Sequence, residues 1–220
     1  MKKIVLFAAT VLASISFANA QTGTRFGVKA GANYTTFEGK DAPSNIEYKF
    51  GFNGGLFADF GVSDMVSIRP EVLYSNKGWG IDSKTILNEG GKEKTELKYN
   101  LNYIDVPVLA HINAGGLFFE VGPYASFLVD AKQKYNYKVK DGAGNVTSEG
   151  SDESETFTSQ YNRIDFGYAA GLGYQLTSGL GIGVRYLGGV NKLGDSDANR
   201  DLKIRNSAFQ ASVSYMFGGR

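Results

Sequence analysis

His111 is the only histidine in this 220-residue chain, and there is no cysteine. A Ser-His-Asp triad or a multi-histidine metal site would therefore have to be built around one imidazole. It falls at the end of an apolar run, beside Asn113, where a structural or solvent-facing role is the simpler reading. Asp195-x-Asp197-x-Asn199 with Asp201 has the opening spacing of a calcium loop, but Arg200 replaces the sharp-turn glycine and Asn206 stands where the bidentate glutamate belongs. Gly171-Leu172-Gly173 and Gly181-Ile182-Gly183 lie inside strand-like runs with no helix to follow, so neither cradles a phosphate. Asn33-Tyr34-Thr35 and Asn145-Val146-Thr147 match a glycosylation acceptor pattern that nothing else supports. What remains is a set of single charges of both signs: Lys29, Arg69, Glu71, Asp105, Glu120, Asp165 and Arg185. Catalytic, metal and cofactor residues are not expected.

Each of those charges sits on the less apolar face of an alternating run. The central stretch, Leu101 to Asp130, has Ile104, Val106, Val108, Ala110 and Ile112 on one face, with Asp105, Pro107 and His111 on the other. After Asn113-Ala114-Gly115-Gly116, Leu117, Phe119, Val121, Pro123, Ala125, Phe127 and Val129 alternate with Phe118, Glu120, Gly122, Tyr124, Ser126 and Leu128. This is the period of a hairpin with one apolar face, its strands long enough to cross a bilayer at a tilt. The same alternation runs from Phe26 to Tyr34, Phe50 to Phe60, Val66 to Ser75, Ile164 to Gln175, Leu180 to Leu187 and Ala208 to Phe217. Eight strands result. The connections alternate long and short, with polar loops at Glu38–Glu47, Lys77–Lys98, Ala131–Asn162 and Gly188–Lys203. An up-and-down barrel with its long loops on one side requires that alternation.

Lys2 and Lys3, an apolar run to Phe17 and Ala18-Asn19-Ala20 have the form of a cleaved secretory signal, so residues 1–20 are expected to be removed and 21–220 to form one domain. Without those 20 residues the 23 basic side chains fall to 21 against 22 acidic ones, which leaves no basic field for nucleic acid. Twenty-nine glycines, 13 tyrosines and 15 phenylalanines, with no helix-period segment, argue for an all-β chain.

Soluble and membrane barrels both alternate, and the less apolar face separates them. Gly27, Gly31, Gly51, Gly55, Gly167, Gly171, Gly181 and Gly183 share it with the charges, Asp59 among them. A solvated face gains nothing from interior-strand glycines, which cost about 0.5–1 kcal/mol each against alanine. The narrow interior of an eight-stranded barrel has room for little else beside a few large side chains. Tyr34, Tyr74, Tyr174, Tyr186 and Tyr215 fall near strand ends, as interfacial girdles do. The reading is an all-β, eight-stranded antiparallel up-and-down transmembrane β-barrel with short periplasmic turns and long extracellular loops.

Tyr103-x-x-x-Pro107, Gly122-Pro123-Tyr124 and Gly181-Ile182-Gly183-Val184-Arg185-Tyr186 resemble the bacterial outer-membrane β-barrel family that includes PorT-like and OmpA/OmpX-like proteins. Tyr215-x-Phe217 is similar to the terminal aromatic signal by which such barrels are recognised for insertion. The resemblance implies an outer-membrane location, contact with lipid and with the barrel-assembly machinery, and no catalytic residue. A monomer is expected, since a closed ring needs no second subunit. The seven charges are expected to pair as a lumen network that fills the barrel, because lone buried ions are costly. Function then lies in a structural, surface-binding or secretion-associated role, through the loops or envelope partners. The alternatives are a small diffusion channel and, less in keeping with the residues, a barrel-embedded hydrolase.

Overall fold

The computed structural model describes residues 23–40, 46–86, 92–155, 162–191 and 204–217. Residues 1–20 and the Asp195–Asp201 motif lie outside them. The strands are β1 (Thr24–Glu38), β2 (Ile46–Gly61), β3 (Val66–Ile86), β4 (Lys92–Ala114), β5 (Leu117–Lys140), β6 (Val146–Glu155), β7 (Ile164–Gln175), β8 (Leu180–Gly189) and β9 (Arg205–Met216). All nine join one antiparallel sheet. Eight of them close the ring β1-β2-β3-β4-β5-β7-β8-β9, since β1 pairs with both β2 and β9, and β5 with both β4 and β7. The ninth, β6, pairs with β5 beyond the point where β7 leaves it.

The alternation reads out as two faces. Phe26, Leu56 and Ile182 point outward and are 60–63% exposed, and Phe50 is 76% exposed. Lys29's neighbours along the opposite parity, Asn33, Asp59, Arg69, Glu71, Asp105, Glu120 and Arg185, are buried. An apolar exterior around a polar interior inverts the soluble pattern and suits lipid outside. The outward rings gather into a girdle where the strands approach the long connections: Tyr34 stacks on Tyr48 at 4.5 Å, and Tyr186 packs on Phe209 at 5.1 Å and Tyr168 at 6.1 Å.

The tightest turn joins β4 to β5. Ala114 pairs with Leu117 across Gly115 and Gly116, whose φ values of 66° and 104° demand glycine in a two-residue hairpin loop. The Asn113 side chain accepts from the Gly116 amide at 3.1 Å.

Two expected loops are corrected. Lys77–Lys98 and Ala131–Asn162 are largely strand: β3 and β4 stay paired out to Ile86 and Lys92, and β5 continues to Lys140 with β6 alongside. A four-stranded blade, β3-β4-β5-β6, thus rises past the barrel rim. Its apolar side chains change sides relative to the barrel. On β4 the apolar positions below Ile104 face outward, whereas Leu101, Tyr99 and Leu97 share the inward parity of Tyr103. A soluble-type sheet continues a membrane-type one, and the lost outward hydrophobicity made the segment read as loop. Val129 is the extra residue of a bulge in β5, between Leu128 opposite Tyr103 and Asp130 opposite Asn102.

Candidate functional site

The inward face of β3 serves as a spine for the lumen. From the short-turn end upward it presents Ser67, Arg69, Glu71, Leu73, Ser75, Lys77 and Trp79, and each charged member meets a different partner set.

At the lowest level Asp59 accepts from Arg69 Nε at 2.8 Å and Nη2 at 2.5 Å, and from the Ser67 hydroxyl at 3.0 Å. Arg25 reaches the other oxygen of the carboxylate at 3.4 Å. The Arg69 guanidinium also lies 4.8 Å from the centre of the Phe57 ring. His111 is buried against Phe118, ring centres 4.6 Å apart, with Nδ1 3.9 Å from Glu120 Oε2.

Above this, Arg185 donates to both oxygens of Glu71, Nη1 to Oε2 at 2.7 Å and Nη2 to Oε1 at 2.8 Å, and from Nε to Glu120 Oε1 at 2.6 Å. Lys29 Nζ adds a bond to Glu71 Oε1 at 3.2 Å. β8 and β3 stand on opposite sides of the eight-strand ring, so the Arg185–Glu71 pair spans its diameter. A cavity lined by Lys29, Glu71 and Glu120, with Arg69 and Phe118, amounts to about 10 Å³, the room of a single water at most. Where larger rings fill the remaining space, glycine makes way: a Cβ on Gly167 would lie 2.5 Å from the Tyr124 ring, and one on Gly173 2.3 Å from the Phe118 ring.

Next, Asn33 collects an amide network. Its Oδ1 accepts from Asn53 at 2.6 Å and Gln210 at 3.0 Å, while its Nδ2 donates to the carbonyls of Phe52 and Asn76 at 3.0 Å each. Lys77 then binds Asp105 Oδ1 at 2.8 Å and Ser126 Oγ at 3.2 Å, between the rings of Tyr103 and Tyr124. At the mouth Phe37, Trp79, Leu101, Tyr103 and Ala131 form an apolar cluster, with Trp79 stacked on Tyr99 at 4.1 Å.

Of the seven charges expected to form one network, Lys29, Glu71, Glu120 and Arg185 come together. Arg69 goes instead to Asp59, Asp105 to Lys77, and Asp165 accepts from the Asn206 amide at 2.9 Å. Lys77 falls outside the expected set because the run from Lys77 reads as loop, although it keeps the inward parity of Glu71, Leu73 and Ser75. Among the described residues no group of three or more His, Cys, Asp or Glu is placed to hold a metal ion. Tyr215 and Phe217 sit edge to face, ring centres 5.6 Å apart, on the outer surface near the short turns.

A closed antiparallel ring with a lipid-compatible exterior and a polar, packed lumen defines a transmembrane β-barrel of the bacterial outer membrane. Residues 18–195 match the model of the outer membrane protein beta-barrel domain, and the chain belongs to that family. No curated protein matches it. It is similar to the solved structure of Ail, the attachment invasion locus protein of Yersinia pestis, in complex with the heparin analogue sucrose octasulfate: 12% identity, 88% of this chain and 99% of that one covered, TM-score 0.43. Neisserial surface protein A is 18% identical over 89% of this chain and 99% of its own, TM-score 0.45. The outer membrane protease OmpT of Escherichia coli is 12% identical over 89% and 94%, TM-score 0.37.

Proposed function

We propose that this protein is a closed, non-enzymatic outer-membrane barrel that carries a surface-binding sheet outside the cell. The lumen charges hold the wall together rather than gate a pore, and the β3-β4-β5-β6 blade offers the surface on which an extracellular ligand or envelope partner is met. The single observation that carries this reading is the Arg185–Glu71–Glu120–Lys29 cluster, which reaches across the ring at mid-height and borders a cavity of only about 10 Å³. His111 lies inside the wall, in contact with Glu120 and Phe118, and not at the blade.

The test is conductance of the refolded chain in a planar bilayer, with insertion confirmed by a heat-modifiable gel shift. A silent bilayer is expected. Discrete, salt-dependent steps would overturn the closed reading in favour of a small channel. Hydrolysis of a lipid or peptide that disappears in His111→Ala would overturn the non-enzymatic one.

A further inference from the structure

Above the rim the blade sorts its side chains by face. On β4, β5 and β6 every described lysine takes the outward parity, Lys98, Lys134 and Lys138 among them. Glu96, Glu149 and Glu153 share that face and pair with lysines on it. The inward parity of the same strands holds no described lysine or arginine. It holds Tyr99 on β4, Tyr135 and Tyr137 on β5, and two carboxylates, Glu93 on β4 and Asp152 on β6. Neither carboxylate has an ion-pair partner among the described residues.

The rings on this face are presented to solvent in part. Trp79 and Tyr99 lie parallel at 4.1 Å and cap the mouth cluster. Beyond them Tyr135 is 39% exposed, and Tyr137 is half-buried with its ring centre 6.1 Å from that of Tyr135. Directly opposite Tyr137 stands Gly150 of β6, where a Cβ would lie 2.6 Å from the tyrosine ring. Glycine therefore lets the ring lie across the edge strand, which it covers in turn. Asp152 is directly opposite Tyr135 and exposed. Ring faces and a free carboxylate thus stand side by side on a shelf without cations.

Charge and area identify the occupant. An aromatic face carries the negative pole of the ring quadrupole and attracts a guanidinium or ammonium group within about 6 Å of the ring centre. The carboxylates attract the same groups, whereas an anion would find no cation on this face. From Trp79 across to β6, and from Tyr99 up to Glu93, the shelf measures about 14 Å by 20 Å, or roughly 300 Å². A folded partner or a second copy needs about 800 Å² from each side, so the shelf is sized for an extended segment of about six residues. We infer that the inward face of the blade binds an extended basic segment of a partner polypeptide, its arginine or lysine side chains lying on Tyr135 and Tyr137 and pairing with Asp152. Glu93 takes a further cation toward the blade tip. The inference rests on the reading of the blade as a binding surface and not on whether the lumen conducts.

The refolded full chain in neutral detergent is titrated calorimetrically with an arginine–serine hexapeptide, a glutamate–serine hexapeptide and the neutral oligosaccharide maltohexaose. Only the cationic peptide should bind, and more weakly as salt is added. Tyr135→Leu/Tyr137→Leu keeps apolar bulk without the ring faces and should weaken that binding about fivefold, each exposed cation–π contact being worth roughly two- to fivefold. Tyr135→Phe/Tyr137→Phe should preserve it, which a site that used the hydroxyls as hydrogen-bond partners would not. Asp152→Lys replaces an attraction by a repulsion at an exposed position and should weaken binding about tenfold. That variant tests the site without disturbing the ring over Gly150, and the heat-modifiable gel checks folding of each barrel. Equal binding of the two peptides, or an affinity unmoved by Asp152→Lys, would overturn the inference. So would full competition by arginine amide at equal arginine concentration, since that marks a site for small cations. Binding of the acidic peptide or the oligosaccharide alone would overturn the basic occupant yet leave the blade a binding surface, whereas silence toward all the probes would count against both.

Discussion

Arg185→Met tests the central cluster most directly. In the folded barrel Arg185 supplies three charge-assisted hydrogen bonds to Glu71 and Glu120 at 2.6–2.8 Å, and all three residues are buried. Its removal leaves Lys29 as the one cation of the group, bonded to Glu71 at 3.2 Å, while Glu120 keeps only the His111 ring at 3.9 Å. The group falls from neutral to one uncompensated negative charge. Breaking a buried pair in this way costs about 3–5 kcal/mol, whereas removing charge in balance costs far less. Arg185→Met/Glu120→Gln restores neutrality around the Lys29–Glu71 pair, so it should recover more than half of the single variant's loss. Urea unfolding of the refolded barrel provides the assay, followed by the emission of Trp79, the chain's single tryptophan. The double-mutant cycle isolates the Arg185–Glu120 coupling from the packing each change also disturbs. An Arg185→Met barrel within about 1 kcal/mol of the parent, well short of the buried-pair loss, would refute the reasoning. So would losses that simply add in the double variant.

The same logic one level higher predicts that Lys77→Met lowers the unfolding midpoint by an equivalent of about 3–5 kcal/mol. It strands Asp105 with Ser126 alone, so adding Asp105→Asn should restore much of the loss. At the mouth, Phe37→Ala removes the ring packed 4.1 Å from Trp79. It should cost about 3 kcal/mol, red-shift the tryptophan emission and admit acrylamide quenching. Gly173→Ala would set a methyl 2.2 Å from the Ile182 carbonyl and 2.3 Å from the Phe118 ring, an overpacking expected to cost about 1–3 kcal/mol by urea titration. On the blade, hydrogen bonds from Lys94 and Lys98 pull the Glu96 carboxyl from 4.5 down to about 2. A lowered folded value means that its stabilisation is complete above the unfolded pKa and is lost as pH falls through about 2. The cluster is partly exposed to solvent, so Glu96→Gln should cost under about 1 kcal/mol. A carbon-detected NMR titration of Glu96 with its midpoint near 4.5 would contradict these bonds.

The ring was legible because the lipid-facing residues repeat every second position within each ring strand, from Phe26 on β1 to Tyr215 on β9, and period two with apolar side chains leaves one arrangement for a chain of this length. The inward parity was legible for the same reason. Which inward charges meet was not, because pairing depends on tilt and stagger around the ring. Arg185 and Glu71 are 114 residues apart and on opposite walls. Arg69 lies two residues from Glu71 on the same face, yet turns toward Asp59 and the Phe57 ring. The blade was not legible for a different reason. Beyond Asn102 the apolar residues Leu101, Tyr99 and Leu97 occupy the inward parity, out of phase with Ile104, Val106 and Val108. Joined without a gap, the two phases cancel to the eye and the segment reads as polar loop. The sequence signal of the extended strand is thus a switch of parity, not a loss of alternation.

That switch also explains why the ion pairs matter more to this fold than exposed pairs do to a soluble one. Outside the barrel Phe50 or Ile182 meets lipid as apolar as itself, so those side chains favour insertion but give little that selects one neighbouring strand over another. Selection must come from the backbone ladder and from the lumen. The lumen contacts link strands that the ladder cannot: β8 to β3 through Arg185 and Glu71, β8 to β5 through Arg185 and Glu120, and β9 to β2 through the Asn33 side chain, to which Gln210 and Asn53 both donate. A ring slipped by one residue would turn Arg185 into lipid and Val184 into the lumen, exposing a charge to hydrocarbon and emptying the cluster at once. The charges therefore count against every wrong register as well as for the right one, and their cost in the native state is offset where hydrophobic burial offers no discrimination.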